Sequence, residues 1–277
     1  LMNNFVKRTL SGIGFVAIML AALLTNRFVF GFVMLLSLVV MMKEFLHMTC
    51  GSEYRYSQIL SILSGATLFL LVFLIRGSGL SVRYLSLAIA PVFLIMITSL
   101  YVKDKKDFNK FANLYTSILY IAIPWTMSVF AVFDSAAQFN GLILLAFFII
   151  VWASDVGAYL FGITLGQKYG KKLFPSVSPK KSWIGFWGGI LTAVIAAVLL
   201  HKYDIFQFSI YHSIILAILL NVAGVYGDLI ESQWKRHYDL KDSSNLIPGH
   251  GGLLDRFDSA LLAVPVGVIY LFMTNLL

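Results

Sequence analysis

Charge is what this chain has least of. Only 12% of its residues are Asp, Glu, Lys or Arg, 59% are hydrophobic, and the mean hydropathy is +0.86. A soluble domain is roughly a quarter charged, so a water-soluble fold is excluded and a polytopic membrane protein is expected. Cysteine is nearly absent. The single Cys50 rules out an intrachain disulfide and a cysteine-rich metal site, and reads as a small apolar filler. There is no Walker A pattern, internal repeat or low-complexity segment, and no polar stretch long enough to be a soluble domain. The net charge of +8 would suggest nucleic acid in a soluble protein. In a membrane protein it reads as topology, because Lys and Arg stay on the cytoplasmic side.

What is present in quantity is apolar runs. A span needs ~20 apolar residues. Nine candidates fall at about 9–26, 28–48, 57–75, 84–102, 112–133, 141–166, 183–200, 210–231 and 253–275. The first follows Lys7 and Arg8 without a clear cleavage site, so it is expected to be a retained helix. With the N-terminus inside, seventeen of the 21 Lys and Arg lie on the inner side. The outer side holds only Arg27, Arg76, Arg83 and Lys202. This places the C-terminus outside. The expected fold is therefore all-α, a single integral-membrane domain over 1–277. Within it, helices of 1–140 provide scaffold, lipid access or oligomer contacts, and 141–277 carry the chemistry. Lys43 and Glu44, with Glu53 and Arg55 nearby, read as snorkelling or paired groups. The basic run at 103–110 reads as a loop facing anionic lipid. Pro91 and Pro124 are expected to kink their spans.

The informative charges are those that should not be in lipid. Asp155 lies inside the sixth span, about 11 residues or ~16 Å from its inner end at 1.5 Å per residue. Asp228 and Glu231 end the eighth span, and Asp255, Arg256 and Asp258 open the ninth. An ionisable group within a span costs several kcal/mol unless paired, bound to a cation or wetted. Asp228 and Glu231 are i,i+3, as are Asp255 and Asp258, so each pair shares a helix face. Oxygen ligands without clustered His or Cys suit a hard cation, Mg²⁺ or Mn²⁺. The simpler reading pairs Asp255 with Arg256 and Glu231 with Lys235, which leaves Asp155 and Asp228 unexplained.

Two polar connections flank these acids, 167–182 and 232–252. The second holds Lys235, Arg236 and Lys241, then Pro248-Gly249-His250-Gly251-Gly252 running into a helix. Glycines before a helix start let backbone N–H groups approach a phosphate, although the same residues make a good tight turn. His250 reads equally as a phosphate donor or a loop residue. The first connection holds Lys168, Lys171 and Lys172, then Ser178-Pro179-Lys180-Lys181-Ser182, where hydroxyls beside Lys suit a phosphate as well as a topological role. Gly185, Gly188 and Gly189 read as close-packing residues. A cation among carboxylates, surrounded by bases at the lipid boundary, points to phosphoryl or nucleotidyl transfer onto a membrane-bound acceptor. Intramembrane acids also fit an ion-coupled transporter, but the polar loop and the lack of repeats speak against it.

These residues resemble a known signature. Ser232-Gln-Trp-Lys235-Arg236, then Lys241-Asp242, then His250-Gly251-Gly252-Leu-Leu-Asp255-Arg256-Phe-Asp258 is similar to the motif of the phosphatidate cytidylyltransferases. Asp155-Val-Gly157-Ala158-Tyr159 and Ser178-Pro179-Lys180-Lys181-Ser182-Trp183 resemble two further blocks of that family. Trp234 stands where the family usually has an aliphatic residue or Phe. Ile163 replaces a common basic residue, with Lys168 further on.

The resemblance implies CMP transfer from CTP to phosphatidic acid, giving CDP-diacylglycerol and pyrophosphate, with Mg²⁺ (or Mn²⁺) and room for a second cation. Asp228 and Asp255 are the expected principal metal ligands, with Asp258, Glu231 and Asp155 as further ones. Lys235 and Arg256 are expected to stabilise charge. Ser178, Lys180, Lys181, Arg236, Lys241, His250, Gly251 and Gly252 are expected to bind substrate. The expected partners are CTP, phosphatidic acid and the bilayer, with a homodimer as a candidate assembly and nucleic acid excluded. The expected location is the inner membrane of a bacterium, with the site facing the cytoplasm. A CTP-dependent kinase of a polyprenol or phytol is the nearest rival; it would need a base and would release CDP.

Overall fold

The computed structural model describes residues 4–102 and 108–277. The expectation placed on Lys103, Lys105 and Lys106 lies outside the described residues. Among the described residues, eight helical stretches are long and apolar enough to cross a membrane: Arg27–Cys50, Arg55–Ser78, Val82–Tyr101, Phe108–Ala131, Leu142–Tyr169, Trp183–Lys202, Ile210–His237 and Leu254–Met273. A further apolar helical stretch, Thr9–Leu24, is shorter. This is an all-α polytopic membrane protein.

The helices in order are α1 (Asn4–Leu24), α2 (Arg27–Cys50), α3 (Arg55–Ser78), α4 (Ala90–Thr98), α5 (Phe108–Ser117), α6 (Ile123–Met127), α7 (Leu142–Phe161), a single turn α8 (Gln167–Tyr169), α9 (Trp183–Lys202), α10 (Ile210–His237) and α11 (Leu254–Met273). The polar connection before α9 is more ordered than a plain loop. It forms an antiparallel hairpin of β1 (Lys172–Phe174) and β2 (Ser178–Ser182), with Lys172 opposite Ser182 and Phe174 opposite Ser178. The chain divides into two compact units, one of Leu1–Asn140 with Asp242–Arg256, the other of Gly141–Lys241 with Phe257–Leu277.

In the first unit, α2 shows why these helices need lipid. Phe28, Phe32 and Leu36, spaced i,i+4,i+8, are all exposed, while Phe30, Met34, Leu38 and Phe45 are fully buried. A helix apolar on both faces belongs in a membrane or a large core. Asn26 caps its start, its Oδ1 accepting from Phe28 N at 3.0 Å and Val29 N at 3.1 Å. Two buried polar groups show how side chains are matched across helices. Trp125 Nε1 donates to Met34 O at 2.9 Å, and Ser61 Oγ to Leu114 O at 2.7 Å. The two prolines stand where the helix changes type. Pro91 follows the 3₁₀ turn Val82–Ile89, and Pro124 follows the π turn Ile118–Ala122. A missing N–H and a ring that crowds the preceding turn favour such a change of winding.

In the second unit, small residues let helices close up. A Cβ on Gly188 would lie 2.5 Å from Phe161 Cβ, and one on Gly185 would lie 2.8 Å from Ala158 O. Thr192 Oγ1 reaches across from α9 to Ala153 O at 2.9 Å. Between α10 and α11 the contact is backbone to backbone. A Cβ on Gly227 would lie 2.5 Å from Asp258 O and 3.2 Å from Ser259 Cα. Backbone cannot step aside as a flexible side chain does, so Gly227→Ala should force the helices apart. The expected cost is about 1–3 kcal/mol, read as a lower Tm in detergent together with reduced activity. A variant with unchanged Tm and rate would show that this approach is not needed.

Candidate active site

The second unit holds a cavity of about 440 Å³. Its polar wall is Asp155 from α7, Gln167 from α8, Lys180, Lys181 and Ser182 from β2, and Asp228 from α10. Its apolar wall includes Ile163, Leu173, Phe186 and Val225. The hairpin explains how two bases reach the acids. The strand carries Lys181 inward until Ser182, whose Oγ accepts Gly185 N at 3.2 Å, starts α9. Lys181 Nζ then lies 2.6 Å from Asp228 Oδ2, while Ser232 Oγ donates to Asp228 Oδ1 at 3.1 Å. Asp155, picked out as a charge inside a span, is exposed on this cavity rather than buried. Ile163, where the family pattern often has a base, lines the apolar wall, and Lys168 instead sits 5.1 Å from the Tyr169 ring centroid.

One helical turn past Asp228, Glu231 is fully buried and ion-paired with Lys235 at i,i+4. This is the simpler pairing that the spacing allowed, and it ties up the Glu231 carboxylate with a base. Asp258, half-buried at the start of the α11 run in this unit, accepts Ser259 N at 2.7 Å. It lies within electrostatic range of Asp228, Asp155 and Lys235. Arg236 is exposed and donates through Nη1 to Leu240 O at 2.9 Å. Ser178 begins β2 and Lys241 is exposed.

The first unit carries the glycine loop, and here the structure adds residues that sequence reasoning missed. Asp255 is buried, and its Oδ2 accepts three donors: Ser243 N at 2.8 Å, Ser243 Oγ at 2.9 Å and Gly252 N at 2.8 Å. Leu253 N and Leu254 N, the next donors at the helix start, go to Glu44 of α2, at 3.0 Å and 2.8 Å. The backbone groups that the motif suggested would meet phosphate thus point at two carboxylates of the protein itself. Glu44 does not snorkel. It is buried, 7% exposed, while Glu53 pairs with Lys110 at 3.0 Å. The glycines are required by this packing. Gly251 has φ +82°, and a Cβ there would lie 2.7 Å from Asp255 Oδ2. On Gly252 a Cβ would clash with Ser243 Oγ and lie 2.7 Å from Glu44 Oε2. His250 is held from α1, with Nδ1 3.0 Å from Ser11 Oγ. Arg256 is exposed. Ser11 and Ser243 have no signal in the sequence beyond being polar in an apolar chain, and Glu44 has only its place near a span end beside Lys43.

Among the described residues, no three His, Cys, Asp or Glu side chains converge into a group that would hold a metal by themselves. The carboxylates of Asp228, Asp258 and Asp155 nevertheless interact electrostatically, and the ammonium of Lys181 already stands as a cation against Asp228. That arrangement fits Mg²⁺, which is commonly held by one or two carboxylates with substrate phosphates and water completing its shell.

A family model described as the cytidylyltransferase family matches residues 6–274. A phosphatidate cytidylyltransferase of Staphylococcus epidermidis is 32% identical over 269 residues, covering 96% of this chain and 99% of its own length. One from Staphylococcus aureus is 30% identical over 261 residues, 94% of this chain and 96% of that protein. One from Bacillus subtilis is 34% identical over 181 residues, 65% of each. The match runs through the N-terminal helices as well as the polar motifs, and on that extent this chain belongs to the cytidylyltransferase family.

Proposed function

We propose that the chain is a phosphatidate cytidylyltransferase, a membrane nucleotidyltransferase that moves CMP from CTP onto phosphatidic acid. The observation that carries this is the cavity, in which acids and two lysines face an apolar wall. Such a site suits a substrate that is anionic at one end and lipid at the other. The phosphatidate oxygen is already anionic near neutral pH and needs no strong base. It forms a bond to the α-phosphorus of CTP while the bond from that phosphorus to the β-phosphate oxygen breaks, releasing pyrophosphate. The obstacle is repulsion between anions, and bases on the cavity wall reduce it. Lys180 and Lys181 hold substrate phosphate there, with Ser178, Arg236 and Lys241 as further phosphate contacts of the same unit. Lys235 keeps the buried Glu231 neutralised. His250 and Arg256 are the phosphate-binding candidates of the first unit.

Mg²⁺ is the proposed cofactor, with Mn²⁺ its nearest substitute. When bound, it neutralises and aligns the reacting phosphates. Asp228, Asp258 and Asp155 are the proposed carboxylates of the second unit, and Asp255 is the candidate in the first. The excess of Lys and Arg on one side of the spans supports a bacterial inner-membrane location with the site facing the cytoplasm.

Purified protein incubated with labelled CTP, phosphatidic acid and Mg²⁺ should yield CDP-diacylglycerol and pyrophosphate. Release of CDP with a phosphorylated alcohol, or no nucleotide consumption at all, would overturn the reading.

A further inference from the structure

The geometry points to Glu44 as a positioning residue for the reaction. From α2 it holds the glycine loop and the first turn of α11 in place, and through Ser243 it orients the carboxylate of Asp255. The kinetic part of this inference rests on the function proposed above.

A carboxylate buried within a membrane span is costly unless matched. Glu44 is matched by three donors of one short segment and shares a fourth. Oε1 accepts Ser244 Oγ at 2.6 Å and Leu253 N at 3.0 Å; Oε2 accepts Leu254 N at 2.8 Å, and the Ser243 hydroxyl, 3.3 Å away, is shared with Asp255. Leu253 N and Leu254 N are among the donors a helix start leaves without partners, and a negative charge there is favoured by the helix dipole. The cap comes from a helix some 200 residues earlier in the chain, not from a local Ser or Asp.

Ser243 is the link. Its hydroxyl lies between Glu44 Oε2 and Asp255 Oδ2, at 3.3 Å and 2.9 Å. Its backbone N–H donates to the same Asp255 oxygen at 2.8 Å. Removing Glu44 would leave Ser244 Oγ, Leu253 N and Leu254 N without their acceptor, Ser243 with Asp255 alone, and the loop free to shift. Asp255 Oδ2 would then lose the frame that sets its direction. The glycine at 252 is explained by the same contact, because any side chain there would displace Glu44 or Ser243.

The test uses Glu44→Ala, Glu44→Gln, Glu44→Asp and Ser243→Ala in full-length protein in detergent. Amide hydrogen exchange is followed in the peptide 243–254 and in the reference peptide 210–237. Glu44→Ala and Glu44→Gln should speed exchange at Gly252, Leu253 and Leu254 by about tenfold or more, leaving 210–237 unchanged. Turnover should fall roughly 10–100-fold, as when an outer partner of a ligand is lost. The Mg²⁺ concentration for half-maximal rate should rise. Glu44→Asp, which keeps the charge one methylene shorter, should recover part of both effects. Ser243→Ala should raise the Mg²⁺ requirement while Leu253 and Leu254 stay protected.

Wild-type exchange and turnover in Glu44→Gln would overturn the inference. So would exchange that rises equally in both peptides with an unchanged Mg²⁺ requirement, since that is general destabilisation. If Glu44→Ala does not fold, the Gln, Asp and Ser243 variants decide the matter. If the wild type makes no CDP-diacylglycerol, the proposed function fails, and the exchange data still judge the cap.

Discussion

Asp255→Asn is expected to lose more than about 100-fold in turnover, the upper end of what losing only an outer partner of a metal ligand costs, while remaining folded and inserted. The two halves of this result have separate causes. The three donors that meet Oδ2 come from Ser243 and Gly252. An amide oxygen accepts all three, so the loop keeps its frame. What disappears is the negative charge on the first turn of α11, one turn from Asp258 on the same helix. Near-normal Mg²⁺-dependent activity in the variant would end the assignment of Asp255 as a cation ligand. Asp255→Ala is the contrast. It leaves two backbone N–H groups unsatisfied, those of Ser243 and Gly252, at a cost of about 1–3 kcal/mol for each group, with the Ser243 hydroxyl left to Glu44, and should lose the fold of the loop as well as the rate.

The second large effect is expected at the Lys181–Asp228 pair. Its two side chains are 26% and 31% exposed. At that exposure an ion pair contributes only about 0–1 kcal/mol to stability. Asp228→Asn and Lys181→Met should therefore leave Tm nearly unchanged. Turnover should fall by more than about 100-fold for Asp228→Asn and at least about tenfold for Lys181→Met, if one group holds the cation and the other phosphate. The double variant separates the alternatives. Two groups with separate tasks give a double variant no better than Asp228→Asn alone. A pair that only neutralises itself gives a double variant close to wild type. Rates for all four proteins, measured beside their melting curves, decide this.

The residues that composition made conspicuous and those that it did not differ in a consistent way. Asp155 and Asp228 stood out because a charge in an apolar run is costly, and both line the cavity. Lys180 and Lys181 stood out as bases beside hydroxyls, and both line it too. The hairpin that delivers them was not visible, since Lys172–Phe174 and Ser178–Ser182 are too short and too polar to show a strand period. The spacing of Glu231 suits a ligand as well as a partner of Lys235, and in the structure it is ion-paired with Lys235. Glu44 read as a group near a span end, because its donors lie some 200 residues away. The glycine loop suits a phosphate or a tight turn by its residues. In the structure the N–H groups of Gly252, Leu253 and Leu254 meet carboxylates that only the folded chain brings to them.

Hydropathy alone places the protein in a membrane, predicts a series of about nine apolar helices, and shows where the polar chemistry is concentrated. It can do so because it is local and adds up residue by residue along a span. Folding selects the partner of each charge: Lys181 for Asp228, Lys235 for Glu231, Ser243 and Gly252 for Asp255, and the start of α11 for Glu44. A buried carboxylate must find donors somewhere, but hydropathy carries no information on which of the many polar groups will supply them. That choice is made when close approach, of backbone at Gly227 and of side chains at Gly252, brings distant segments within hydrogen-bonding distance.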